Sequence, residues 1–373
     1  MHVLICCDSF KDALPASQVC AAIARGWQAA RPEASVRLFP LADGGEGMVE
    51  ALAFHLGLRP HRLQVRDPLG RPVSAAYSLS ADGRTAFIEM AQAAGLQRLA
   101  PEERNPLLGS TFGLGEMMAD ALRQGVSRIV LGIGGSATHD LGMGMAAALG
   151  WRFEDEDGRP LQASGLALRQ VARILPPVAD PLAGVEVEVM CDVTNPLYGE
   201  QGAAHVYARQ KGADADMVAR LEAGSRHFWA IANGHGGAPA GEQAGAGAAG
   251  GLGFGAAYFL NARLRRGVDL MLDLTGFEEA VREADLLITG EGRLDGQTAH
   301  GKLISGIAQR AAAAGKRVVA LCGALAASPA EVRALGLTAA FSIAQGPCSL
   351  PEALALTEEN LEKTAYFVGA LGG

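Results

Sequence analysis

The sequence predicts an α/β fold in two domains, one of them assembled from both ends of the chain. Three observations lead there. The chain is 373 residues long, too long for one ordinary core, so about two domains are expected. Strand-like and helix-like stretches alternate at both ends, the order that builds a parallel sheet flanked by helices. Between them, from about Leu63, lie short strands broken by turn residues, the texture of antiparallel hairpins.

The elements follow in order. HVLICC is a short apolar strand, ASQVCAAIARGWQAA has helical spacing, SVRLFPL is a second strand and GMVEALAFHLG a second helix. RLQVRDPLGRPVSAAYSL and RTAFIEM are then interrupted by Asp-Pro, Gly-Arg-Pro and Asp-Gly. GLGEMMADALRQG reads as a helix, SRIVLGIGG as a strand, the stretch through Met145 to Leu149 as a helix, and VEVEVMCDVTN as a strand. Towards the end, ADLLITGEG and RVVALCG are strands with the helix LISGIAQRAAAAG between them. The expectation is a discontinuous Rossmann-like domain with a parallel sheet (1–62 and 285–373) and an inserted α/β domain with a mixed sheet (63–284). The tract NGHGGAPAGEQAGAGAAGGLGFGAA suits a flexible linker by composition. It also suits an ordered loop where backbones or a ligand come close, which glycine permits.

Composition excludes several classes. Hydrophobic residues make up 49% and charged ones 19%, with a net charge of -8, as in a globular protein with no nucleic-acid partner. RLRR at Arg263 to Arg266 is too short for a phosphate-backbone track and reads as a solvated helix face. The apolar run of MHVLICCDSFK ends at Asp8, too early for a signal sequence, and no tract is suited to span a bilayer. Six cysteines form no C-x-x-C, Cys6 and Cys7 point to opposite faces of a strand, and no H-E-x-x-H occurs. The expected setting is reducing and cytoplasmic, with no membrane; a homo-oligomer is left open.

Polar clusters end several predicted strands. Asp8, Ser9 and Lys11 follow HVLICC; Asp43 and Glu46 follow SVRLFPL; Ser136, Thr138 and Asp140 follow RIVLGIGG. Asp192, Thr194 and Asn195 follow VEVMC, and Glu291, Arg293 and Asp295 follow DLLIT. One such cluster is as easily a cap or a turn. Five of them, three beside glycine pairs or Gly-x-Gly, point to the crevice that open α/β sheets form at their carboxyl ends. Carboxylates with glycine backbones suit Mg²⁺ and phosphate, and Lys11, Arg293 and Lys302 supply positive charge. Phosphoryl transfer uses both kinds of group together.

Two motifs compete with that reading. GIGGSA, from Gly132 to Ala137, fits G-x-G-x-x-A, and the acidic run EDED lies roughly 20 residues on, as in a dinucleotide fingerprint. Against it, Asp140 falls in the first part of the predicted following helix, where a bare carboxylate repels a pyrophosphate. An NAD(P)-dependent dehydrogenase is therefore the second reading, and a non-catalytic small-acid-binding protein the third. GQTAHGKL, from Gly296 to Leu303, has the G-x-x-x-x-G-K of a Walker A loop but lacks its hydroxyl, and GEGRLD separates it from its strand. It is not expected to be a P-loop, although Lys302 at a helix N-terminus would suit a phosphate.

Together these stretches resemble the bacterial-type glycerate kinase family. DSFK, PLADGGEG, GIGGSATHDLGMG, CDVTNPLYG, QKGA, GAGAAGGLG and ITGEGRLDGQTAHGK carry the resemblance, in order and over nearly the whole chain. It implies phosphorylation of D-glycerate by ATP with Mg²⁺, in a cleft between two α/β domains, with the Gly/Ala tract ordered. It favours 2-phosphoglycerate as product, 3-phosphoglycerate being the other product assigned in the family. Asp12 stands where the family has glycine, His139 where it has asparagine and Leu141 where it has glycine; His139 reads as a tolerated variant.

Roles follow from chemistry. Arg293 or Lys11 pairs with the glycerate carboxylate, with Asp8, Ser9 and Asn195 as further substrate contacts. Asp192 is the chosen base for the attacking hydroxyl, with Asp295 next in line. Asp43, Asp140, Asp295 and Glu291 are candidates for Mg²⁺. Gly44, Gly45, Gly134 and Gly135 let backbone amides approach phosphate, beside Ser136 and Thr138, and Lys302 neutralises the transferred group.

Overall fold

The computed structural model describes residues 1–45, 47–295 and 303–371. Its strands, in chain order, are β1 (His2–Ile5), β2 (Ser35–Leu38), β3 (Arg59–Arg66), β4 (Pro72–Leu79), β5 (Thr85–Glu89) and β6 (Arg128–Gly132). They continue with β7 (Arg152–Glu154), β8 (Arg173–Leu175), β9 (Glu186–Met190), β10 (Arg263–Arg265), β11 (Leu286–Leu294), β12 (Arg317–Leu325) and β13 (Ala339–Ser342). The fold is mixed α/β, and the chain divides into two compact units.

The first unit comprises Met1–Asp43, Glu50–Leu56 and the chain from Val268 onward. Its sheet is wholly parallel, in the order β13-β12-β11-β1-β2. The helix expected over ASQVCAAIARGWQAA forms at Ala16–Ala30 and buries Val19, Cys20, Ile23 and Trp27, the apolar stripe of a 3.6-residue period. Gly26 has no side chain because a Cβ there would overlap the carbonyl of Glu362 in the helix Thr357–Leu371. Arg25 fastens the same pair of helices through Glu358 at 2.7 Å and Glu362 at 2.9 Å. Residues 268–283, which the sequence reading placed in the inserted segment, group with this unit.

The second unit comprises Gly44–Val49 and Gly57–Gly267. Its main sheet runs β10-β9-β6-β5-β4-β3. β3, β4 and β5 pair antiparallel, whereas β5, β6, β9 and β10 pair parallel. The turn between β3 and β4 is held by Asp67, whose carboxylate accepts the Leu69 and Arg71 amides at 2.9 Å each and the Arg71 guanidinium at 2.6 Å.

Two local expectations are corrected in this unit. RLRR is not a helix face: Arg263–Arg265 is a strand, with Arg263 paired to Glu186 at 2.9 Å and Arg265 to Glu188 at 3.2 Å. Pairing to β9 overrides the local pattern there. Asp140 does not lie in a helix either. Leu141 (φ 53°) and Gly142 (φ 74°) are left-handed, so the helix begins at Met143 and Asp140 stays in the preceding loop. The Gly/Ala tract is ordered where it matters: Ala248–Leu260 is mostly buried and helical except at Ala249, Gly250 and Gly251, which are left-handed.

Candidate active site

Several predicted clusters come together within the first unit. β1 lies between β2 and β11, so the parallel order reverses there, and the carboxyl ends of β1 and β11 form its switch point. The ladder continues past β1 through the Cys6 amide on the Ile288 carbonyl at 2.8 Å and the Asp8 amide on the Gly290 carbonyl at 3.1 Å. The Leu41 amide bonds the Cys7 carbonyl at 3.0 Å, bringing the chain after β2 to the same edge. Asp8 therefore sits within electrostatic reach of Asp43 and Glu291. Burial pushes its carboxyl up, the Asp43 and Glu291 charges push it further, and the Ser9 amide and hydroxyl oppose them.

Ser9 supports Asp8, donating to its carboxylate from the amide at 2.6 Å and the hydroxyl at 3.3 Å. Lys11 is exposed. Asp12 follows at φ 63°, a left-handed position that suits the glycine of the resembling family and that Asp tolerates better than most residues. Arg293 is exposed and reaches the Asp295 carboxylate at 3.1 Å. Glu46, Lys302 and the rest of GQTAHGK lie outside the described residues. Leu303 opens the helix Leu303–Ala313 and is only 2% exposed, so the position of the missing Walker hydroxyl belongs to a core.

The second unit gathers the others. Gly44 has φ 95°, and a Cβ there would lie 2.9 Å from the Met190 Cβ and 3.0 Å from the Gly267 Cα. Those residues flank the anchor of Asp192, which accepts the Gly267 amide at 2.9 Å from its half-buried place after β9. A Cβ on Gly132, at the end of β6, would meet the Gly44 carbonyl at 3.2 Å. Gly44, the entry to the GIGGSAT loop and Asp192 thus share one end of this sheet. Gly135 takes φ 72° within the loop, which also carries Gly134.

Other candidates from the sequence turn inward. Asp140 is 1% exposed and accepts four hydrogen bonds: the Thr111 amide (2.7 Å), the Thr111 hydroxyl (2.8 Å), and the amides of Gly142 (3.2 Å) and Gly144 (3.1 Å). Burial raises its carboxyl and these donors lower it. It ties a loop to a helix start, which leaves it poorly suited to Mg²⁺. The Asn195 amide is likewise engaged, donating to the Gln201 carbonyl at 2.8 Å and accepting the Tyr207 hydroxyl at 2.5 Å. Ser136 and Thr138 are buried, with their hydroxyls 3.3 Å apart. His139 is sealed in, its Nε2 3.0 Å from the Ser225 hydroxyl, and burial holds its ring down at about 3.

Sequence reasoning assigned no role to Lys211, Thr111 or Glu89. Lys211, inside QKGA, is 2% exposed and donates to the Thr138 carbonyl at 2.7 Å and the Ser136 hydroxyl at 3.1 Å. Glu89 ends β5 and accepts the Val49 amide at 3.2 Å. Nothing beside these residues in the chain signals burial, since their partners are remote in sequence.

The arrangement argues against a dinucleotide fingerprint. GIGGSA does not run straight into a helix, and EDED is a turn in which Asp155 accepts the Asp157 and Arg159 amides at 3.0 and 2.8 Å. Among the described residues, no three His, Cys, Asp or Glu side chains converge to hold a metal ion by themselves. Mg²⁺ nevertheless fits the donor chemistry, because it binds through one or two carboxylates, substrate phosphates and water. The Asp43 and Glu291 charges both push the Asp8 carboxyl up, so negative charge gathers at this edge of the sheet.

Comparison with known proteins agrees along the whole chain. Residues 3–371 match the family described as "Glycerate kinase family". A glycerate kinase of Halalkalibacterium halodurans is 45% identical over 364 residues, covering 97% of this chain and 96% of the relative. A glycerate 2-kinase of Escherichia coli is 37% identical over 371 residues, covering 99% and 97%. A crystal structure from Salmonella typhimurium LT2, assigned as glycerate kinase 2, superposes with a TM-score of 0.87 at 40% identity, covering 99% of this chain and 97% of that one.

Proposed function

The chain belongs to the glycerate kinase family, and on that premise we propose that it phosphorylates D-glycerate with ATP to give 2-phosphoglycerate. The observation that carries the reading is the full-length match to glycerate kinases, one of them named a glycerate 2-kinase. Neither a dehydrogenase nor a non-catalytic acid-binding protein has comparable support.

Asp192 accepts the proton of the attacking hydroxyl, and its bond to the Gly267 amide fixes the carboxylate after β9. Lys11 and Arg293, both exposed, are the cations offered to the glycerate carboxylate. The Gly44-Gly45 and Gly134-Gly135 backbones approach the nucleotide phosphates, and Lys302 neutralises the transferred group. Asp43 and Glu291, with Asp295, would hold Mg²⁺, which supplies charge neutralisation on the phosphates. Asp8, Ser9 and Asp140 then support these groups in place of touching substrate, and Asn195 shapes the turn after Asp192.

No helix among the described residues is long and apolar enough to cross a membrane. All six cysteines are free, which fits a reducing cytoplasmic setting. The test is to incubate the protein with Mg-ATP and D-glycerate and to assign the phosphorus NMR spectrum of the product. A signal for 2-phosphoglycerate is expected. 3-Phosphoglycerate would move the transfer to the other hydroxyl, and no phosphorylated glycerate would end the reading.

A further inference from the structure

Three segments of the second unit, remote in sequence, meet at one buried amine. Lys211 donates to the Ser136 hydroxyl (3.1 Å) and the Thr138 carbonyl (2.7 Å). The Ser136 hydroxyl is also 3.3 Å from the Ala249 carbonyl, and the Leu141 amide reaches the Gly250 carbonyl at 3.3 Å. Ala249, Gly250 and Gly251 are all left-handed, at φ 54°, 70° and 84°. For Ala249 that conformation is strained and persists only where the surroundings impose it. Gly250 has no alternative: a Cβ there would overlap the Thr138 carbonyl and lie 3.0 Å from the Lys211 Nζ.

We propose that Lys211 is a positioning residue, locking the Gly134–Thr138 loop against the left-handed Ala249–Gly251 turn so that the loop amides meet the nucleotide phosphates. The inference rests on the reading of that loop as a phosphate contact. Burying an amine is costly, and here the environment pulls Lys211 down to about 7 despite the attraction of Asp140. A hydrocarbon side chain would fill the same space without that cost. What the amine adds is two directed bonds to one loop, and these fix its backbone.

The test compares Lys211→Met with Gly135→Ala, which disturbs the same loop directly at a left-handed position. Lys211→Met is expected to raise KM for ATP at least tenfold, to leave KM for glycerate within about twofold, and to speed amide exchange across residues 135–139. A lower melting temperature with both KM values unchanged in the folded fraction makes Lys211 merely structural and overturns the proposal. Gly135→Ala separates the two readings. If it raises KM for ATP while Lys211→Met does not, only the role of Lys211 fails. If it leaves KM for ATP unchanged, the loop is no phosphate contact and the premise fails. Should Lys211→Met not fold, Ser136→Ala decides: it must raise KM for ATP and speed exchange at 137–139, and an unchanged loop overturns the lock.

Discussion

The Asp192 carboxylate accepts the Gly267 amide at 2.9 Å, a bond that holds the carboxylate at the end of β9. An asparagine can keep that bond through its own side-chain oxygen, so Asp192→Asn removes the base while preserving the anchor. General-base effects are typically 10²–10⁴-fold, about 3–5 kcal/mol in the barrier. A fall in kcat of that size is expected, with a melting temperature within a few degrees of the parent. Full activity per folded molecule would take Asp192 off the catalytic path and leave Asp295 as the next base to test.

Leu303 is 2% exposed at the start of its helix. Leu303→Ser restores the hydroxyl of a Walker A loop but places it in a core, losing apolar burial and desolvating a polar group. A loss of about 1–3 kcal/mol in stability is expected, with no gain in rate or Mg²⁺ affinity. Denaturant unfolding and a Mg²⁺ titration of activity check both halves; tighter Mg²⁺ use would revive the P-loop reading.

His139 is fully buried, and burial, reinforced by Lys211, holds its ring at about 3 against 6.5 for an ordinary histidine. The neutral ring belongs to the folded state, so its contribution is complete above pH 6.5 and is lost as pH falls from there towards 3. His139→Asn does not titrate, so its stability should fall less steeply over that window. Urea midpoints from pH 7 to pH 4 measure the difference; parallel curves would show that His139 is not sealed. Turnover per folded molecule should stay within about twofold, because His139 contacts Ser225 and no proposed substrate atom.

Ligand binding separates nucleotide classes without any assay of turnover. A ligand at a hundred times its dissociation constant stabilises by about 2.7 kcal/mol. Mg-ATP should therefore raise the melting temperature while NAD and NADP leave it unchanged. A shift with NAD alone would make GIGGSA a dinucleotide site after all.

The sequence alone determined most of the elements and the family, because these are written in local pattern. The stripe of Val19, Cys20, Ile23 and Trp27 marks a helix at Ala16–Ala30, and the strand-end clusters mark where polar groups gather. Tertiary structure decided which of those groups face inward. Asp140 and Asp192 look alike as acids after apolar strands, yet Asp140 is enclosed by Thr111, 29 residues away, while Asp192 is fastened to Gly267, 75 residues away. The strand at Arg263–Arg265 exists because β9 offers a parallel edge, not because RLRR has strand periodicity. Lys211 carries no local sign of burial, and only the fold brings Ser136 and Thr138 to it, 75 and 73 residues off. Such hydrogen bonds join atoms whose separation along the chain carries no periodic signal, so the folded backbone had to place the donor before its partner could be known.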